Sequence, residues 1–312
     1  MKKLFFSFLF VLSVLFASYS CENAEPVVKA EQEPVPLQFT TDLIPAMNSR
    51  ITSFKKGAQI SLCVLNEELF AYNGKDEYYN VMATYNGLNW VLNPAVSLTE
   101  NRAYIYAFYP AVDNFHGTEG YEVRQEDQID YLYGLQAEGS PAINASNPVV
   151  KINMCHAMAM VQFLFRSHNY SGGAGKLTGI YVMGKPDFNQ WKSWGILNIL
   201  DGSISTVDSP RDPATVYDIN GLTTITPDVL TNDADAERTS VLVFPWSTQK
   251  AGNVQIKFVI DGKNFFYDMG VENWQKGNKY TYLMTLTDNF LVNDKITISG
   301  WQDGYSGVGT IK

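Results

Sequence analysis

No window of eleven residues in this chain sustains the recurrence of apolar side chains near every 3.6 residues that an amphipathic helix requires. Short runs rich in β-branched and aromatic residues take its place, at 58–66, 78–85, 89–92 and 102–109 in the first half. Asn73-Gly74 and Asn86-Gly87, dipeptides that favour tight turns, separate several of them. Aromatic residues make up 13% of the chain and sit mostly in these runs, the composition a sheet-on-sheet core uses. The chain therefore reads as all-β.

The first strand signal lies at Leu37 to Phe54, LQFTTDLIPAMNSRITSF. Leu37, Phe39, Thr41 and Leu43 alternate with Gln38, Thr40 and Asp42, the period of two of a strand with one buried face. Pro45 and Asn48-Ser49 break the pattern and leave Arg50 in an accessible loop, where a trypsin-like protease can reach it. Lys55 and Lys56 are poorer cut sites because the next strand begins at Ala58. A cut at Arg50 would untether the strand before it.

The start of the chain reads as a leader. Lys2 and Lys3 precede an apolar run from Leu4 to Phe16, too short to span a bilayer and of the form of a secretory signal peptide over residues 1–20. Cys21 then stands where a lipoprotein signal peptidase would leave a new N-terminus to be acylated. Residues 21–36, with four glutamates and three prolines, read as a flexible tether between lipid and fold. With Lys2 and Lys3 removed, 21 basic residues face 32 acidic ones, a net charge of −11 that repels nucleic acid. Cys63 and Cys155 are too few for a disulfide framework; they are buried thiols or, alternatively, one bridge.

The composition turns polar at Asn144 to Pro148, which divides the chain into 37–148 and 149–312, two sandwiches in tandem. In the second part strand signals recur at 149–165 (a long strand or a pair), 177–183, 195–199, 239–244, 253–260, 264–268, 280–287 and 295–298. The polar stretch 201–237 reads as loops with at most a short helix.

Catalytic chemistry has no visible carrier. His116, His156 and His168 lack metal-ligand or triad spacing, and His156, inside an apolar run, reads as a core histidine. Ser171 to Lys176, SGGAGK, lacks the first glycine and the hydroxyl residue of a phosphate loop and reads as a flexible hairpin turn. Asn232 to Glu237 resembles a calcium loop in charge only. No enzyme, metal or cofactor is implied. Trp191 and Trp194, beside Asp187, Asn189 and Gln190, are candidate platforms for stacking a sugar ring, or else pack over a sandwich edge.

Several segments together resemble the fimbrillin family, the Mfa-like pilins that build type V surface fimbriae in Gram-negative anaerobes. Tyr104 to Pro110, YIYAFYP, is similar to the family's aromatic run ending in Tyr-Tyr-Pro, and Asp130 to Gly134, DYLYG, to the segment that follows it. His156 to Ala159 resembles its His-x-x-Ala strand. Trp274, Gly277, Tyr280 and Tyr282, followed by Ile298 and Trp301, resemble its C-terminal Trp-x-x-Gly-x-x-Tyr-x-Tyr and Ile-x-x-Trp patterns. The resemblance implies two transthyretin-like β-sandwiches, export as a lipoprotein to the outer membrane, and removal of the N-terminal segment by a trypsin-like protease. It further implies that a strand from another pilin subunit fills the vacated groove. Arg50 stands where the family's processing arginine would, and a host or bacterial surface glycan or protein is a candidate further partner. The C-terminal segment after Asp303 has three glycines, which makes it a poor donor strand and leaves room for a tip or accessory role.

Overall fold

The alternation of the opening stretch is realised in space. The computed structural model describes residues 33–43, 53–116, 120–136, 139–185, 191–207, 214–224, 239–247, 250–288 and 291–300. Within it Gln38–Leu43 is a strand, with Leu37 and Phe39 buried and Gln38, Thr40 and Asp42 exposed. A pleated backbone sends successive side chains to opposite faces, so this run gives one face to a core and the other to water. Pairing starts slightly earlier than the expected tether allows, because Val35–Pro36 already lies against Ser97–Leu98.

The opening strand ends a seven-stranded sheet. Its order runs Gln38–Leu43, Val149–His156, Leu132–Gln136, Tyr104–Tyr109, Gln59–Leu65, Val81–Tyr85, Trp90–Asn93. Every neighbouring pair is antiparallel except the first, where Gln38–Leu43 runs parallel to Val149–Met154. The two ends of the sheet also meet: the rings of Phe39 and Trp90 lie edge to face at 6.0 Å. The sheet thus curls around a core of its own, in which Leu37 and Phe39 pack with Ile60, Leu62, Ile105 and Ile152.

The expected division at Asn144 to Pro148 precedes the strand Val149–His156, which still belongs to this first sheet. The chain changes sheet at Ala157 and Met158, between Val149–His156 and Ala159–Ser167. The long apolar run is therefore a strand pair whose members lie in different sheets.

Two four-stranded sheets follow. One has the order Ser240–Val243, Ala159–Ser167, Asn278–Leu286, Leu291–Gly300, and the other Ala214–Thr224, Lys176–Gly184, Val254–Ile260, Lys263–Asp268. Their inner faces supply one core, in which Phe258 meets Phe163 and Phe165 edge to face at 4.9 and 5.3 Å. A smaller sheet joins Tyr121–Arg124, Trp194–Leu197 and Ile204–Thr206. A third apolar cluster joins Phe108 and Tyr133 of the seven-stranded sheet to Met158, Leu197 and Leu242.

Three local expectations are corrected. Among the described residues, the stretch 201–237 includes two strands, Ile204–Thr206 and Ala214–Thr224; the second carries Thr215, Val216, Ile219, Thr223 and Thr224, β-branched residues that favour a strand despite the polarity around them. The front of the expected strand 78–85 is a 3₁₀ turn, Asp76–Tyr79. The SGGAGK loop is neither a hairpin nor loose: it links strands of different sheets, and carboxylates hold it at both ends. Asp288 accepts the Ser171 backbone N–H at 2.5 Å, and Asp261 accepts those of Gly175 and Lys176 at 2.7 and 3.0 Å. The calcium-like stretch at Asn232 to Glu237 lies outside the described residues. Cys63 and Cys155 are free thiols; Cys63 is buried, and that burial pushes its thiol well up.

Candidate functional site

An edge strand differs from an interior one because a single neighbour holds its backbone. At Ser240–Val243 the sheet edge is closed by side chains: Gln125 Oε1 accepts the Phe244 N–H at 2.6 Å, and Gln128 bonds both the N–H and the carbonyl of Leu242 at 2.8 Å. The opening strand has a different kind of attachment. Its sheet partner is Val149–Met154, with Phe39 opposite Val150 and Thr41 opposite Ile152. Leu37 donates its N–H to the Val96 carbonyl at 2.9 Å and Gln38 to the Pro148 carbonyl at 2.8 Å. Lys151 pairs with Asp42 at 2.5 Å, both side chains more than half exposed, so solvent screening leaves this pair little weight.

The free flank of the strand is covered by side chains from the far end of the curled sheet. Trp90 donates its indole N–H to the Thr41 hydroxyl at 3.0 Å, and its ring meets Phe39 and Phe54. Phe54 also packs edge to face on Tyr109 at 6.0 Å. A cavity of about 420 Å³ opens here, lined by Phe39, Thr41, Phe54, Tyr85, Leu88 and Trp90. One parallel ladder, two buried side chains and an aromatic clamp therefore hold the strand.

Beyond the cavity the chain is tied down again. The Ala58 N–H bonds the Lys55 carbonyl at 2.9 Å and the Gly57 N–H bonds the Tyr85 carbonyl at 2.7 Å, so Lys55 and Lys56, though exposed, sit in a closed turn. Arg50, the expected processing residue, and Cys21, the expected acylation residue, lie outside the described residues.

The two tryptophans read as a sugar platform are not brought together as one surface. Trp191 is 4% exposed, edge to face with Trp246 at 5.6 Å and Trp274 at 6.1 Å, and a ring so enclosed offers no face to a sugar. Trp194 carries the Arg124 guanidinium over its ring at 5.0 Å. His156 is buried and its Nδ1 lies 2.8 Å from Asp130 Oδ1, which pins the end of Val149–His156 to the residues leading into Leu132–Gln136. Among the described residues no group of three or more His, Cys, Asp or Glu side chains is placed to hold a metal ion.

Sequence reasoning found the opening strand but not its partner or its clamp. Thr40 and Val150 are 110 residues apart, and parallel pairing carries no hairpin signature to read. Trp90 was visible as part of a strand signal; that it spans from one end of the sheet to the other follows only from the curl.

The architecture is all-β, with the strand Gln38–Leu43 at the edge of a seven-stranded sheet. This chain belongs to the fimbrillin-like family, whose model matches residues 47–301. Its fold is similar to that of a putative cell adhesion protein from Bacteroides ovatus, with a TM-score of 0.62, 17% identity, and coverage of 88% of this chain and 100% of that one. A putative cell adhesion protein from Bacteroides uniformis is similar at a TM-score of 0.61 and 14% identity, covering 86% of this chain and 99% of that one. No curated protein matches the sequence.

Proposed function

We propose that the protein is a structural or accessory subunit of a cell-surface fimbria, exported as a lipoprotein acylated at Cys21, cut after Arg50 and assembled by strand exchange with other pilin subunits. In this reading residues 1–20 are the signal peptide, the segment beginning at Cys21 tethers the precursor to the outer membrane, and a trypsin-like protease releases it. The observation that carries the reading is the position of Gln38–Leu43: an edge strand with one parallel neighbour, contributing Leu37 and Phe39 to the core of the first sheet.

The energetics favour replacement once the strand has gone. Burying Leu37 and Phe39 is worth roughly 3 to 6 kcal/mol gross. That is a large part of the 5 to 15 kcal/mol by which a domain is stable at all, so a vacated groove is strongly driven to take up another strand. Removal of an interior strand would break two full ladders; removal of this one breaks one, together with the two-residue pairing of Val35–Pro36. Cutting after Arg50 would also part the subunit from its lipid, which couples release from the membrane to competence for assembly.

The test is to treat the purified precursor and its Arg50→Ala variant with a trypsin-like protease. The expected products are a chain beginning at Ile51 that forms higher oligomers, and a variant that stays monomeric. Cut protein that keeps its sheets and never oligomerises would overturn the proposal, as would equal oligomerisation of the uncut variant.

A further inference from the structure

A second surface, in the part of the fold remote in sequence from the opening strand, is built like a small-molecule site. Trp246–Ser247 pairs with Asn273–Trp274, placing Trp246 directly across from Trp274. Trp274 is 1% exposed and Trp191 4%, and both stand edge to face with a neighbouring indole, but Trp246 is only half-buried. Of these three indoles it is the outermost. It lines an open cavity of about 620 Å³ together with Ile204, Pro245, Asn273, Gln275 and Lys276. Ligand sites typically span roughly 300 to 1,000 Å³ and are mostly apolar, with a few placed polar groups.

The polar groups are placed. On the extended segment 273–275 Trp274 turns into the core, so Asn273 and Gln275 are both exposed on the other side. Neither side-chain amide is spent on a bond within the described residues, so each offers a donor and an acceptor. The backbone beneath them is fixed: buried Tyr280 donates its hydroxyl to the Asn273 carbonyl at 2.6 Å and accepts the Gln275 N–H at 2.8 Å. Lys276 is held with its ammonium 4.7 Å from the centre of the Tyr133 ring and bonded to the Asp201 carbonyl. Among the described residues no carboxylate lines the cavity, while Lys276 does, so their charge disfavours a cationic ligand.

We propose that this cavity binds a pyranose ring of a glycan, its C–H face against Trp246 and its hydroxyls taken by the amides of Asn273 and Gln275. An aromatic face matches the apolar side of a sugar ring, and paired amides match vicinal hydroxyls, each of which both donates and accepts. A purely apolar ligand would leave both amides unused, and a peptide strand would need a free backbone ladder that a two-residue pairing does not supply. Because the backbone beneath the amides is already fixed, the freedom lost on binding is confined to their side chains.

The experiment is saturation-transfer NMR and calorimetry on the uncut protein with methyl pyranosides, neutral, N-acetylated and carboxylated, and their β-linked disaccharides. Saturation of the ring C–H protons is expected, with affinity reduced roughly tenfold in an Asn273→Ala/Gln275→Ala double variant. Those two side chains are exposed, so the double variant keeps the fold, which circular dichroism verifies; Trp246→Ala, if folded, is expected to abolish binding. Failure of every sugar to bind, or binding unchanged in the double variant, overturns the assignment. Neither outcome depends on strand exchange.

Discussion

If the opening strand is a separable plug, it must open on its own, and Phe39 sets how easily it does so. Phe39 is 6% exposed and packs with Trp90 and the first core. Phe→Ala in a core costs about 3 to 5 kcal/mol. Here the site borders a cavity of about 420 Å³ and a sheet edge, so neighbours can close in and the lower figure, about 3 kcal/mol, applies. Since 1.4 kcal/mol is a factor of ten, Phe39→Ala should raise the open population of the strand by roughly a hundredfold. Native-state hydrogen exchange reads this directly: the amides of Gln38–Leu43 should exchange about a hundred times faster in the variant. Those of Asn278–Leu286, whose side chains pack in a different core, should keep their rates. Thr40→Ala is the control; its exposed side chain makes one hydroxyl bond to the Val150 carbonyl at 3.2 Å, worth about 1 kcal/mol, and less than a tenfold change is expected. If in Phe39→Ala the strand amides exchange no faster than those of Gln59–Leu65 at the centre of the sheet, the strand opens only with the whole sheet. The plug reasoning would then be refuted.

Two further substitutions probe the second part of the fold. Burial would raise the Asp261 carboxyl, but the N–H groups of Lys176 and Gly175 and the Tyr170 hydroxyl together hold it below its ordinary value. A depressed folded-state pKa contributes stability that is complete above the unfolded-state value and is lost as pH falls through the folded one. The gap in urea midpoint between wild type and Asp261→Asn should therefore be full at neutral pH and close below about pH 4; a gap independent of pH contradicts the assignment. Tyr282 is buried, its phenol pushed far up by that burial, and it accepts the Trp274 indole N–H at 2.9 Å. Tyr282→Phe strands that N–H and should cost about 1 to 3 kcal/mol at unchanged denaturant slope, a loss that an unaltered midpoint would disprove.

What the sequence shows best is whatever a local period encodes. Leu37 and Phe39 against Gln38 and Thr40 announced both the strand and its buried face, and 254–260 alternates in the same way, whereas 59–65, buried on both faces, was visible as a short apolar run. What fails is whatever depends on distant pairing. In the run 149–165 the residues at the change of sheet are all buried, His156 beside Asp130 and then Ala157 and Met158, so no exposed turn residue marks it. Trp191 and Trp246 are equally conspicuous as letters. Which of them faces solvent is set by Trp246 pairing with Trp274, 28 positions away, while Trp191 packs edge to face against both.

The same alternation decides what can replace the strand. Along Val149–Met154 the side chains of Val150, Ile152 and Met154 are buried, and in the intact chain the backbone register pairs these residues with Phe39, Thr41 and Leu43 respectively. A newcomer must therefore place its apolar residues in step with these, since a slip of one residue turns the whole apolar set to water. This can be measured on protein freed of its opening segment, with a synthetic copy of residues 35–44 and a second peptide in which Leu37 changes places with Gln38 and Phe39 with Thr40. Both have one composition and one charge, so only the phase differs. The scrambled phase forfeits the burial of Leu37 and Phe39, roughly 3 to 6 kcal/mol gross, and should bind at least a hundredfold more weakly. Equal affinity would mean that backbone pairing alone holds the strand, and that the groove does not select its occupant by side chain.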